Sequence, residues 1–145
     1  MSDTDDVTAA SERFYAALSR MAQGSADSMS EAWEHTAGVT ALHPVGGREE
    51  GWDAVAGSFA AVAGMCSEGR IEMLGREVRT EGDLAYETGT ESGRLTMAGR
   101  ELRVDHRVTN IYHRSAEGWR MVHHHTDISP ALLQIVEEAR RPAGG

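Results

Sequence analysis

The chain has 145 residues, 40% of them hydrophobic, which is typical of one globular domain. Its 23 acidic and 14 basic residues give a net charge of -9, which disfavours a nucleic-acid partner because phosphates attract the opposite sign. No apolar run reaches the roughly 18 residues of a membrane span, so no membrane partner is predicted. The acidic amino terminus is unlike a signal peptide and Cys66 is the single cysteine, so we expect a cytoplasmic protein without an internal disulfide.

The amino-terminal half of the sequence predicts three helices. Apolar residues recur at helical spacing over 7–23, a shorter helix is predicted around 29–33, and a third covers 52–65. A short strand is predicted for 38–42, and the proline and glycines of 43–47 interrupt it. The first six residues are expected to form a frayed tail that ends in helix-capping candidates.

The carboxyl-terminal half predicts an antiparallel sheet. Four extended segments, 71–79, 84–95, 101–113 and 119–126, are separated by short breaks, which favour hairpins over parallel crossovers. A final helix is predicted for 130–140. We therefore predict a single α+β domain over 1–145 with an ordered core of about 7–140 and frayed ends.

Period-two alternation assigns faces to two of these strands. In 101–113 it places His106, Val108 and Asn110 on the buried side. The strand 119–126 divides less clearly. One face holds Trp119, Met121, His123 and His125, and the other holds Arg120, Val122, His124 and Thr126. Composition favours burial of the first set, although a dimer on the back of the sheet could bury both.

Two segments carry a resemblance to a known superfamily. VTNIYHR at 108–114, followed after a turn by WRMVHHHT at 119–126, resembles the last hairpin of the nuclear transport factor 2-like superfamily, which includes ketosteroid isomerase. HPVGGREEGW at 43–52 is similar to the loop and helix start of its SnoaL-like branch. The resemblance implies a strongly curved sheet wrapped around the helices into a cone with one deep pocket, and dimerisation through the sheet. No aspartate matches the motif of the isomerase base.

Histidine and its neighbours supply the candidate catalytic residues. His106 could move a proton because imidazole titrates near neutral pH, although a buried histidine is also commonly a satisfied core group. The remaining catalytic candidates are Tyr86, Asn110 and His124. Tyr86 and Thr88 share one strand face, which the resemblance suggests is turned inward. The candidate substrate-binding residues are His43, Trp33, Trp52, Thr88, Val108 and Thr126.

The three consecutive histidines at 123–125 do not predict a metal site. Neighbouring residues of a strand point to opposite faces, so His123 and His124 do not share one ion easily, and we expect neither metal nor cofactor. Residues 123–127 and Pro130 are also similar to the closing strand of the metal-free iota-class carbonic anhydrases, but Asp127 stands where that pattern has a second hydroxyl residue.

Three functions are compatible with these features. The first is a cofactor-independent acid–base enzyme, of the isomerase, cyclase or hydrolase type, acting on a small and largely apolar molecule. The second is a non-catalytic module for ligand binding or dimeric assembly, and the third is a carbonic anhydrase-like activity. We further expect a homodimer built through the outer face of the sheet, where Ile111 and one face of the last strand would lie.

Overall fold

The computed structural model describes residues 2–140, which form four helices and six strands in the order given by the sequence. The helices are α1 (Asp3–Ala22), α2 (Met29–Ala32), α3 (Trp52–Ala63) and α4 (Pro130–Arg140). The strands are β1 (Thr40–His43), β2 (Gly46–Glu50), β3 (Cys66–Glu81), β4 (Leu84–Met97), β5 (Arg100–Ser115) and β6 (Gly118–Thr126). The carboxyl-terminal end at 141–145, expected to fray, lies outside the described residues. Among the described helices, none combines the length and apolarity needed to cross a membrane.

All six strands form one curved sheet in the order β2-β1-β6-β5-β4-β3. Neighbours are antiparallel except β1 and β6, which are parallel. α1 packs in the concave side with Val7, Phe14 and Leu18 buried, because its apolar residues recur along one helical face. The predicted α+β cone, with the helices held inside a curved antiparallel sheet, is confirmed.

The close approach of β3 and β4 depends on glycine. Gly93 pairs with Ile71, and a Cβ atom at Gly93 would lie 1.9 Å from the carbonyl oxygen of Arg70. At Gly89 a Cβ atom would lie 2.4 Å from the sulfur of Met73. Both glycines share the inner face of β4, so the missing side chains allow the inner surface to contract as the sheet bends.

Residues 3–6, which the sequence assigned to a frayed tail, form the first turn of α1. The Ser2 hydroxyl accepts a hydrogen bond from the backbone N–H of Asp5 at 3.1 Å, so α1 begins at Asp3. Asp3, Asp5 and Asp6 lie in its first turn, where negative charge is favourable to the helix dipole. The segment after His43 also continues as a strand, β2, because Gly46 and Gly47 adopt positive φ angles of 87° and 82° that turn the chain back along β1.

A bulge in β6 changes which residues of that strand face inward. Ile111 pairs with His123 but Tyr112 pairs with Met121, so Val122 is an extra residue in the ladder. Trp119 and Met121 are therefore buried before the bulge, and His124 and Thr126 are buried after it. Neither predicted set of alternating residues shares one face, and the expectation that composition would bury the Trp119 set throughout is wrong. The outer face receives His123 and His125.

Candidate active site

The concave face of β4 and β5 holds two carboxylates beside the predicted His106 and Asn110. Glu91 pairs with His106 in the ladder and Glu87 pairs with Asn110, so all four side chains project to the same side. All four are buried, with at most 6% exposure. The ring Nε2 of His106 lies 2.7 Å from Oε1 of Glu91, and the amide nitrogen of Asn110 lies 2.8 Å from Oε1 of Glu87.

α1 completes this polar cluster from above the sheet. The Tyr15 hydroxyl donates to Oε2 of Glu91 at 2.9 Å and accepts a hydrogen bond from the Asn110 amide nitrogen at 3.0 Å. One turn earlier, the Ser11 hydroxyl donates to Oε1 of Glu87 at 3.0 Å. A helix that carries apolar side chains into the core thus also supplies the donors that buried carboxylates require.

The Glu87 side chain lies at one end of the cluster among several donors. Its Oε1 also accepts the Tyr112 hydroxyl at 2.5 Å, and the guanidinium of Arg76 lies 3.5 Å from Oε2. Burial, reinforced by the charge of Glu87, raises the pKa of Tyr112 well above its usual value, so its phenol stays a donor. Donors and a cation therefore surround Glu87, whereas Glu91 lies nearer the open space.

β6 adds His124 to the cluster through the bulge described above. Its Nδ1 lies 2.6 Å from the amide oxygen of Asn110, and its Nε2 lies 3.8 Å from Oε2 of Glu91. The ring packs 5.0 Å from that of Phe14, between centroids. Asn110 consequently connects Glu87, Tyr15 and His124 in one network.

A small cavity of about 40 Å³ lies against this cluster. Four polar side chains line it, those of His43, Glu91, His106 and His124. The rest of the wall is apolar and comes from α1, α3, α4, the β1–β2 turn and the inner face of the sheet. The lining residues of that wall are Leu18, Met21, Pro44, Val45, Phe59, Val62, Ile71, Leu95, Met97, Val104 and Leu132. Room for a few small atoms next to buried acid–base groups is the usual setting of a small-molecule site.

Burial separates the protonation states of the lining groups. Burial lowers the pKa of His124 to about 4 and that of His43 to about 3, so both rings are neutral at physiological pH. Burial opposes the charge of Glu91, but the hydrogen bonds from His106 and Tyr15 favour the charged form, so its pKa lies below the usual value. Burial, and then the charge of Glu91, raises the pKa of Tyr15 well above its usual value. The site thus combines the Glu91 carboxylate with the neutral rings of His43 and His124.

Three more predicted residues lie in or beside the core. Trp33 is fully buried and packs against Phe14 and Phe59 rather than lining the cavity. Val108 and Thr126 are buried and pair across β5 and β6, but neither lines the cavity.

The remaining predicted residues lie away from the cluster. Tyr86 is 50% exposed and Thr88 is also exposed, because the even-numbered residues of β4 face outward, opposite to the suggested inward face. Trp52 is partly buried against the core beside Trp33, and it stacks on the exposed His35 with 4.3 Å between ring centroids. Asp127, which departs from the carbonic anhydrase pattern, pairs with Arg107 at 2.8 Å on an exposed part of the surface.

Sequence reasoning missed Glu87, Glu91, Tyr15, Ser11 and Tyr112. Alternation in β4 was the signal for the two glutamates. They occupy odd-numbered positions, and the apolar Ala85, Leu95 and Met97 lie on the same face of the strand. Within 2–140, no group of three or more histidine, cysteine, aspartate or glutamate side chains is arranged to hold a metal ion.

Comparisons with known proteins place this geometry in a family. A family model described as a SnoaL-like domain matches residues 7–131. No curated protein matches the sequence significantly.

Solved structures share the fold. A proposed dehydratase of the NTF2-like family from Streptomyces avermitilis is 24% identical, with a TM-score of 0.77 over 88% of this chain and 96% of that one. An NTF2-like superfamily protein from Salmonella enterica is 15% identical, with a TM-score of 0.77 over 99% and 96% of the two chains. A proposed calcium/calmodulin-dependent protein kinase type II association domain from Thiobacillus denitrificans is 27% identical, with a TM-score of 0.69 over 84% and 94%.

Proposed function

This chain belongs to the SnoaL-like domain family, and from that premise we propose that it is a cofactor-independent acid–base enzyme acting on a small, largely apolar molecule in the cavity. One observation carries the proposal. Nδ1 of His106 is a buried polar atom with no hydrogen-bond partner among the described residues, on a ring that lines the cavity and whose other nitrogen is held by a carboxylate. Buried polar atoms are nearly always paired, so an unpaired nitrogen here supports a role with a ligand.

His106 and Glu91 have the arrangement that a general base needs. A carboxylate only accepts hydrogen bonds, so Nε2 of His106 carries the proton that points to Glu91. In the neutral ring Nδ1 then keeps a lone pair that can remove a proton from a substrate. Glu91 would stabilise the imidazolium formed in that step, and the same ring would return the proton to the product.

The other members of the cluster would position this pair. Tyr15 fixes the second oxygen of Glu91, and Asn110 fixes both Tyr15 and His124. The strongly lowered pKa values of His43 and His124 favour an enzyme over a passive binding module, because such shifts concentrate at catalytic sites. Leu132 of α4 and the Pro44–Val45 turn close the cavity, so substrate entry would require these segments to move.

Proton exchange tests the proposal without knowledge of the natural substrate. The protein is incubated in D2O with small β-hydroxy ketones, whose hydroxyl group can donate a hydrogen bond, and loss of the α-proton signal is followed by NMR. We expect exchange or conversion above the buffer rate, and a decrease of at least about 100-fold in His106→Gln. His125→Gln is the matched control, since His125 is exposed on the outer face. Equal rates for His106→Gln and the wild type, or no exchange with any compound, would contradict the proposal.

We also propose that the protein forms a homodimer through the outer face of the sheet. Trp119 and Met121 cannot supply its apolar contacts, because both are buried within the chain. The support comes instead from Leu74, Leu84 and Tyr86, each about half exposed on that face. A purely assembling module would use the same surface without any need for the cavity.

A further inference from the structure

The side chains behind the polar wall of the cavity determine which of its ring nitrogens carry protons. Within residues 2–140, polar side-chain atoms reach the cavity only from His43, Glu91, His106 and His124. Each histidine is bonded through one ring nitrogen, and the partner at that nitrogen decides whether the other nitrogen can donate or accept.

The state of His124 follows from Glu87, which is connected to this ring by two hydrogen bonds through Asn110. The carboxylate of Glu87 can only accept from the Asn110 amide, so the end of the amide that faces Glu87 is its nitrogen. The amide oxygen of Asn110 therefore faces His124. That oxygen can only accept, so Nδ1 of His124 carries a proton. Because the ring is neutral, Nε2 has a free lone pair, 3.8 Å from the acceptor oxygen Oε2 of Glu91.

His43 is fixed independently from α3. The Ser58 hydroxyl has one proton and donates it to the backbone oxygen of Val55 at 2.6 Å. Its oxygen therefore accepts from Nε2 of His43 at 2.8 Å, and Nδ1 of His43 has no proton. His106 donates from Nε2 to Glu91, and its Nδ1 has no hydrogen-bond partner among the described residues.

From these bonds we propose that the cavity takes a ligand with an apolar body and a polar head that donates hydrogen bonds, a hydroxyl or an ammonium group. The lone-pair nitrogens of His43 and His124 and the Glu91 carboxylate would be left facing one another unless a ligand or water supplies protons between them. Among the described residues, no lysine or arginine lines the cavity, so a carboxylate or phosphate head would have no counter-charge there and would face the carboxylate of Glu91. A carbonyl head can only accept hydrogen bonds, and the polar atoms of the cavity wall are themselves acceptors.

This inference names a substrate class for the proposed enzyme and to that extent rests on the proposed function, but its test does not use activity. Long-range ¹H–¹⁵N NMR on the ligand-free protein at pH 7 reports which ring nitrogen is protonated. We expect His124 to carry its proton on Nδ1, and His43 and His106 to carry theirs on Nε2. Ser58→Ala is the matched variant: it removes the acceptor behind His43, so the His43 ring should become a mixture of tautomers while His124 stays unchanged.

Binding is then measured with a series of isopropyl-sized probes chosen for the small cavity: 2-propanol, isopropylamine, acetone and isobutyrate. We expect the alcohol or the ammonium to shift the unprotonated nitrogens of His106 or His124 and to bind about tenfold more tightly than acetone, as expected when paired groups replace unpaired ones. Which of the two donors binds identifies the head group.

A His124 ring protonated on Nε2, acetone or isobutyrate binding as well as the donors, or no binding by any probe would overturn the inference. Failure of the proposed function has a different signature. In that case the donor probes bind as expected, but His106→Gln exchanges α-protons at the wild-type rate.

Discussion

Acidification should destabilise the fold at pH values where most proteins are stable, because two buried imidazoles must stay neutral. The pKa of His124 is about 4 and that of His43 about 3 in the folded chain, whereas an unfolded histidine titrates near 6.5. Below pH 6.5 the unfolded chain therefore binds more protons than the folded chain. Stability is fully present above that pH and is lost progressively as the pH falls towards 4 and 3.

The magnitude follows from the two pKa values. At pH 5 an unfolded histidine is almost fully protonated, while His124 and His43 remain almost fully neutral, which costs about 2 kcal/mol for each residue. The free energy of unfolding should therefore drop by about 4 kcal/mol between pH 7.5 and pH 5, a large part of the stability of a domain of this size. Half-buried His123 acts in the same direction, since burial and then the neighbouring His125 lower its pKa. Carboxylates contribute little above pH 5.

Urea denaturation followed by tryptophan fluorescence at several pH values measures this loss. In His124→Asn and in His43→Asn, the free energy of unfolding should drop by only about 2 kcal/mol between pH 7.5 and pH 5, because each variant lacks one titrating group. This holds whatever the effect of the substitution on stability at pH 7.5. His125→Asn is the control and should retain the full pH dependence. A free energy of unfolding that stays constant from pH 7.5 to 5, or an unchanged pH dependence in both buried-site variants, would refute the reasoning.

Two further predictions concern the sheet. Gly93→Ala should lower the free energy of unfolding by at least about 2 kcal/mol in urea denaturation, because its Cβ atom would overlap the Arg70 carbonyl. Gly57→Ala is the control: a Cβ atom has free space there in the middle of α3, so this variant should raise the free energy of unfolding by about 0.5–1 kcal/mol. Equal effects of the two glycine variants would contradict the close packing of β3 on β4. Light scattering of a dilution series at pH 7.5 should give a dimer mass, and Tyr86→Glu should shift the chain towards monomer because it places a charge in the exposed apolar part of the outer face. A wild-type monomer at micromolar concentration would remove the dimer proposal.

Local pattern was sufficient for most of the fold. Helical spacing predicted α1, α3 and α4, and short turn-forming breaks predicted the antiparallel run from β3 to β6. Alternation in β5 placed His106 and Asn110 on the inner face, because the apolar residues around them left one face clearly more hydrophobic. The order of the elements and two short segments were enough to indicate the family that the comparisons show.

The site depended on contacts that no local pattern contains. Hydropathy alone would not bury Glu87 and Glu91, and their burial is possible because Ser11 and Tyr15 reach them from α1, 76 residues earlier in the chain. Those donors are not visible in the sequence, and the inward face that the resemblance suggested for Tyr86 and Thr88 is wrong.

The bulge at Val122 had a similar effect on the last strand. One extra residue reversed the faces of β6 and brought His124, rather than its two neighbours, into the cluster. Strand register is set by pairing with β5 across the sheet, so the inward face of each strand could be read from the sequence only where one face was clearly apolar. Where polar residues occupied both faces, tertiary hydrogen bonds decided which of them became buried.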